Sequence, residues 1–282
     1  ARPGWRSSTA SSPGDVDLGL DGKRCLITGA GRGIGRAVAV RLAAAGGHVL
    51  LTSRSADELA EARAECEAAG GRAATLAADV TDPATPARLV EASRAELGGD
   101  PDVLVNNAGA ARWRPLEDVP EEDWYAAWEL NVMAPLRLMR AVIPGMRERR
   151  WGRIVNVSST AGKRPSANMP EYSVAKAAEL SLSRLFADRY APDGVLVNAV
   201  CPGPTTSPMW VAEGGLADQS RELAGMESRE EALAAAGAKR PIGRLAEPGE
   251  IADVIVFLCS ERASYVAGAA WGADGGTVPV II

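Results

Sequence analysis

The chain is expected to fold as an α/β protein built on a doubly wound parallel sheet. Three observations predict this. Short apolar runs alternate strictly with longer segments of helical pattern, an order that calls for a parallel sheet covered on both faces. A glycine-rich turn, Thr28-Gly29-Ala30-Gly31-Arg32-Gly33-Ile34-Gly35, joins the first apolar run to the first helical segment. Finally, 282 residues with 46% apolar content can bury one large core.

Arg24–Thr28 reads as a buried strand by its length and flanks. Residues 36–45 form an Ala/Val/Leu helix that stops at Gly46-Gly47. Residues 48–52 give a second strand, and 57–69 a charged, alanine-rich helix closed by Gly70. A third strand at 74–78, a helix at 83–97 and a fourth strand at Val103–Asn106 follow. Residues 121–149 read as one long helix, interrupted or kinked near Pro135 and Pro144. Then come a strand at 153–158, a helix at 171–190, a strand at 195–200, a helix at 249–260 and a last strand at 269–273. Right-handed crossovers between these strands yield a doubly wound, Rossmann-type sheet. The one long break, 204–241, carries helical patches at 217–223 and 230–236 and reads as a lid. No internal repeat or second-domain boundary is visible, so 21–282 is expected to be a single domain.

Composition excludes several functions. A net charge of −5 argues against bulk nucleic-acid binding. Arg147, Arg149 and Arg150 read as a solvated helix end. Cys25, Cys66, Cys201 and Cys259 are scattered, as in a reduced, cytoplasmic protein. His48 is the single histidine, too few nitrogen ligands for a zinc site, and no nucleophile elbow serves a Ser-His-Asp hydrolase. No apolar run approaches the roughly 20 residues that span a bilayer. Residues 1–20, rich in Ser, Pro, Gly and Arg, read as a flexible tail without a signal-peptide core.

The glycine turn lets backbone N–H groups at a helix N-terminus meet a pyrophosphate. Gly29, Gly31, Arg32, Gly33, Ile34 and Gly35 are therefore cofactor candidates. The second strand ends in Ser53-Arg54, where a carboxylate would favour NAD. Arg54 and Arg32 suit a 2′-phosphate, so NADP(H) is preferred and NAD(H) is the alternative. Asp79-Val80 is placed to meet the adenine.

Tyr172 and Lys176 stand four residues apart on a predicted helix and share a face. A phenol ordinarily titrates near 10, and a cation beside it favours the phenolate. Ser159, ending the fifth strand, can hydrogen-bond a reacting oxygen. Tyr172 would then act as general acid in reduction and general base in oxidation, while a nicotinamide carries the hydride.

On these motifs the chain resembles the short-chain dehydrogenases/reductases of the simple, single-domain type, from about Asp21 to Gly276. Thr28-Gly29-x-x-x-Gly33-Ile34-Gly35 resembles the family's cofactor motif, and Asn106-Asn107-Ala108-Gly109 its motif after the fourth strand. The resemblance implies a catalytic tetrad of Asn131, Ser159, Tyr172 and Lys176, with Asn131 supporting a water-linked proton relay. It implies that Asn107, Ala108, Gly109, Pro202, Gly203, Thr205, Ser207 and Met209 join the cofactor set. Asp274-Gly275-Gly276 resembles the closing turn. Ser207 stands where the family often has Thr. The resemblance further implies strand order 3-2-1-4-5-6-7 and a homotetramer or homodimer paired through the helices from Glu121 and Glu171. Trp124, Trp128, Leu136 and Met139 could serve either the core or that interface, and the core is the expectation for each.

Substrate contacts are expected from Ala110, Ala111, Trp113, Ser159, Thr160, Ala161, Met169, Tyr172, Pro204, Met209 and Trp210. Their apolar bulk suits a lipophilic ketone or alcohol. Arg112, Arg114, Lys163 and Arg164 near the entrance could meet a carboxylate or an acyl carrier, which makes a 3-oxoacyl-thioester reductase the runner-up, beside an NAD-dependent alcohol dehydrogenase. A non-catalytic nucleotide sensor would be expected to lack part of the tetrad. An epimerase of the related longer branch would carry more than the six residues that follow Gly276.

Overall fold

In the computed structural model, which describes residues 17–279, seven strands pair in parallel in the order β3-β2-β1-β4-β5-β6-β7. They are β1 (Arg24–Thr28), β2 (His48–Ser53), β3 (Ala73–Ala77), β4 (Val103–Asn106), β5 (Gly152–Val157), β6 (Val195–Pro202) and β7 (Ala270–Ala273). The expected strand order and the alternating helices are thus observed. Side chains alternate across the sheet as the pleat demands. In β1, Cys25 and Ile27 enter one apolar layer and Leu26 the other, and all three are fully buried. Ile27 lies opposite Leu51 of β2 and Val105 of β4, so β1 is the sheet's centre of burial.

Helices α1 (Gly33–Ala44), α2 (Ala56–Ala68) and α11 (Pro248–Cys259) help build the first layer. Helices α3 (Thr85–Leu97), α5 (Ala134–Glu148) and α7 (Pro170–Tyr190) help build the second. The strand order reverses between β1 and β4, which opens a crevice beyond their carboxyl ends.

The long helix expected over 121–149 is divided. It comprises α4 (Glu121–Trp128), a π turn (Glu129–Met133) and α5, which continues through Pro144. The break falls just ahead of Pro135, which has no N–H to send back to Asn131. Ala134 N bonds Glu129 O instead, five residues back, and the widened turn carries Asn131.

Among the residues expected in the core, Met139 is fully buried and Leu136 packs beside it, but Trp128 is 44% exposed. Residues 1–16 of the expected tail lie outside the described residues. Leu20 is buried, Leu18 O accepts from Glu261 N at 2.9 Å, and Arg262 Nε donates to Asp17 O at 2.8 Å, so the packed chain begins before residue 20. All four cysteines are buried free thiols. Among the described residues no helix is long and apolar enough to cross a membrane. The segment expected as a lid, 204–241, holds α8 (Pro208–Val211), α9 (Leu216–Ala224) and α10 (Arg229–Ala238).

Candidate active site

The glycine turn is shaped by close approach. Gly29 and Gly33 have φ of +62° and +57°, the left-handed region that glycine enters without cost. Thr28 Oγ1 accepts from the N–H groups of Asn107 and Ala108, each at 3.0 Å. Asn107 Nδ2 donates back to Thr28 O at 3.0 Å and Gly29 O at 3.2 Å. The two motifs thereby fasten β1 to β4. Arg32 offers α1 no capping oxygen, which leaves the first-turn N–H groups for an anionic ligand. This donor set fits a dinucleotide pyrophosphate.

At Gly35 a Cβ would lie 2.3 Å from Gly29 O and 2.5 Å from Asn107 Nδ2. Gly35→Ala is therefore expected to cost about 1–3 kcal/mol of stability and to weaken nucleotide binding. Thermal melts with and without NADPH check this; an unchanged Tm and unchanged binding would show that the turn can shift aside.

Beyond β2, Arg54 is exposed and Ser53 half-buried. Asp79 Oδ1 accepts from Thr81 N at 2.9 Å and Thr81 Oγ1 at 2.7 Å. Those bonds hold its carboxyl below the ordinary value, and the Arg54 charge adds to the effect. Val80 beside it is buried. Arg32 is also exposed and pairs with Glu58 Oε1 at 3.3 Å. Glu58 went unnoticed in the sequence, because its proximity to the turn depends on how α2 packs on α1.

A cavity of about 490 Å³ opens beside the turn. Its walls include Ser159, Thr160, Tyr172, Lys176, Ala111, Trp113, Ala161, Met169, Pro204, Met209 and Trp210, so the residues expected at the substrate lie on one surface, except Ala110, which is outside the walls. Ile34, Asn107, Gly109, Pro202, Gly203, Thr205 and Ser207 from the expected cofactor set line it too. Gly29, Gly31, Arg32, Gly33, Gly35, Ser53, Arg54, Asp79, Val80 and Ala108 lie outside its walls, in the turn and at the ends of β2, β3 and β4.

Ser159 caps the short helix α6 (Thr160–Lys163), its Oγ accepting from Ala161 N at 3.1 Å. Tyr172 sits in the first turn of α7 and is 8% exposed. Lys176, one turn later, holds Nζ 5.8 Å from the Tyr172 ring centre and donates to Val157 O at 2.8 Å. Asn131 is buried outside the cavity walls; its Nδ2 donates to Ala127 O, and its Oδ1 has no partner among the described residues. Asn131 Oδ1 and Lys176 Nζ both flank Gly109, 3.4 and 3.8 Å from where a Cβ would stand there. A water in that gap would satisfy the orphaned oxygen.

The electrostatics differ from the expectation of a phenol shifted downward. Burial raises the Tyr172 phenol above its ordinary value, and the Lys176 charge and Ser159 hydroxyl offset this only in part. The reason includes a group absent from the sequence reading. Glu179, 1% exposed, places Oε2 2.9 Å from Lys176 Nζ. Its spacing of three from Lys176 was the available signal, since such residues share a helix face.

The segment expected as a lid forms the far wall. Trp113 and Trp210 meet edge to face with ring centres 6.2 Å apart, and Trp113 N donates to Gln219 Oε1 at 2.7 Å. Arg229 grips Asp218 through Nε at 2.8 Å and Nη2 at 2.6 Å, pulling that carboxyl down to about 2. Of the cations expected at the entrance, Arg112 and Arg114 pair with Asp123, and Lys163 Nζ donates to Ala270 O at 2.6 Å. Arg164 alone among them reaches the cavity, where Lys239 and Arg240 of the lid join it. None of these three forms an ion pair among the described residues.

The family model described as short chain dehydrogenase matches residues 23–214. The chain is 33% identical over 259 residues to D-beta-hydroxybutyrate dehydrogenase of Cupriavidus necator, covering 92% of this chain and 99% of that one. It is 37% identical over 259 residues to 3-oxoacyl-[acyl-carrier-protein] reductase of Vibrio cholerae, covering 92% and 98%. Its fold superposes on L-sorbose reductase from Gluconobacter frateurii, solved with NADPH and L-sorbose, with TM-score 0.87, 37% identity and coverage of 94% and 100%. With the glycine turn, the Ser159-Tyr172-Lys176 cavity and a family match over most of its length, the chain belongs to the short-chain dehydrogenases.

Proposed function

We propose that this oxidoreductase interconverts a ketone and a secondary alcohol with NADP(H), and that Tyr172 passes the proton. The observation that carries the reading is one cavity holding the Tyr172 phenol, Ser159 and Lys176 at the mouth of the glycine turn. Bound NADPH would supply the hydride to the carbonyl carbon. Ser159 orients the carbonyl oxygen, and Tyr172 Oη delivers the proton that completes the hydroxyl. Lys176 holds the nicotinamide ribose, and Asn131 retains the water that links the lysine outward. In oxidation the phenolate takes the hydroxyl proton back.

Preference for NADP(H) rests on Arg32 in the glycine turn and on Ser53 and Arg54 at the end of β2, and the NADPH in the sorbose reductase supports it. Fluorescence titration with NADPH and NADH side by side tests it. Tighter NADPH binding is expected; tighter NADH binding would reverse the assignment.

Arg164, Lys239 and Arg240 narrow the substrate. Burial opposes charge on Arg240, and its Nε is a buried donor with no partner among the described residues. Three cations on the cavity wall suit a carbonyl compound with an anionic group, as in the hydroxybutyrate that names one relative. An acyl-carrier thioester, the substrate in the name of the other, is the second reading. A panel of 3-keto acids, neutral ketones and 3-oxoacyl thioesters at saturating NADPH separates them; fastest turnover of neutral ketones would remove the anionic assignment. Exposed Tyr125, Trp128, Val174 and Leu185 on α4 and α7 support pairing of two copies through these helices, which light scattering checks.

A further inference from the structure

We propose that Glu58 sets how far this chain prefers NADP(H). Its carboxylate opposes a 2′-phosphate and offers an acceptor to a ribose hydroxyl, so that the site takes both nucleotides. This rests on the reading that Arg32, Ser53 and Arg54 meet the adenosine ribose.

Three side chains converge beside Gly31. Glu58 Oε2 and Ser53 Oγ lie 3.0 and 3.1 Å from where a Cβ would stand on that residue, and Glu58 Cβ lies 2.9 Å from it. Any side chain at 31 would push the carboxylate away, so the glycine keeps Glu58 against the turn. Glu58 Oε1 accepts from Arg32 Nη1 at 3.3 Å. The backbone of Glu58 is anchored in the first turn of α2, where Ser55 Oγ accepts from its N–H at 3.3 Å. The carboxylate thus comes from α2 and not from the end of β2, where Ser53 stands.

This carboxylate is free to meet a ligand. Its Oε2 makes no hydrogen bond among the described residues, and the side chains of its pair with Arg32 are 61% and 36% exposed. Such a pair is weak and exchanges readily for a ligand. Asp79, the other carboxylate at this end of the sheet, spends Oδ1 on Thr81 N and Thr81 Oγ1, and the Arg54 charge acts on it.

The signs of the charges decide the outcome. Arg32, Arg54 and Glu58 sum to one positive charge, facing a phosphate that carries about −1.5 to −2 near pH 7. Without the Glu58 charge they would sum to two. The carboxylate weakens 2′-phosphate binding directly, by repulsion, and indirectly, by competing for Arg32. NADH has a hydroxyl in that place. A hydroxyl donates to a carboxylate, and a hydrogen bond to a charged acceptor is stronger than one to a neutral acceptor. Glu58 therefore lowers affinity for one nucleotide and raises it for the other, which neither arginine does.

The test titrates NADPH and NADH by fluorescence against the full-length protein and Glu58→Gln, with 2′,5′-ADP and ADP as competitors that lack the nicotinamide. The substitution removes the charge from a half-buried side chain and keeps its shape. In the variant, NADPH is expected to bind about threefold or more tightly and NADH about threefold or more weakly, a shift of about tenfold in the ratio of their Kd values. Binding of 2′,5′-ADP should follow that of NADPH. A folded variant with an unchanged ratio would reduce Glu58 to a solvated surface pair and overturn the proposal. An equal change in both nucleotides would overturn it as well, by placing the effect on the pyrophosphate they share. Arg32→Ala with Arg54→Ala separates the two readings. If that variant also leaves the ratio unmoved, the ribose reading falls; a ratio that responds to the arginines and ignores Glu58→Gln removes the Glu58 assignment alone.

Discussion

Tyr172→Phe is expected to lower kcat by about 10²–10⁴-fold, the usual contribution of a positioned general acid or base. The substitution removes one oxygen from a ring that is 8% exposed in the cavity wall. The hydride donor would still reach the carbonyl, but no group would deliver the proton. Nucleotide binding should change little, because the turn at Gly29 and Gly33 and the start of α1 do not depend on the phenol. Steady-state rates with a ketone, paired with NADPH titration, make the check. Loss of rate with retained binding supports the mechanism, whereas a near-normal rate would leave Tyr172 without its role.

The second large effect is expected at the adenosine end. Arg32→Ala combined with Arg54→Ala should weaken NADPH by at least about tenfold while leaving NADH nearly unchanged. Each guanidinium can make a charge-assisted hydrogen bond to a 2′-phosphate worth about 1.5–3 kcal/mol, and NADH has no such phosphate. Both side chains are exposed, so the fold should tolerate their removal. Arg32 is engaged with Glu58 at 3.3 Å, an exposed pair worth about 0–1 kcal/mol that a phosphate can displace. Binding curves for both nucleotides decide the matter. Equal weakening of NADPH and NADH would mean that the arginines serve the shared part of the cofactor.

Much of this architecture was legible in the residues. The turn at 28–35 needs glycine where φ is positive and where Gly35 meets Gly29 O, so its composition reports its shape. Tyr172 and Lys176 share a helix face by spacing alone. The strands announced themselves as short apolar runs because a parallel sheet is buried on both faces. Other features left weaker traces. Proline at 135 signalled an interrupted helix, yet not that the interruption would be a π turn presenting Asn131. Trp128 has the composition of a core residue and is 44% exposed.

The sequence by itself determined the fold class, the phosphate-cradling turn and the pairing of phenol with amine, because each is a local matter of spacing and backbone freedom. Only the tertiary structure decided the environment of that pair. Burial is a sum over distant segments, so nothing local in Tyr172-Ser-Val-Ala-Lys176 shows that the phenol is pushed up, not down. Glu179 shares a helix with Lys176, but its grip at 2.9 Å matters because the sheet and the neighbouring helices exclude water from both. Lys239 and Arg240 reach the cavity from more than sixty residues away in sequence, carried there by the segment 204–241. Charge and desolvation act through space, and the distances that set them exist only once the chain has folded.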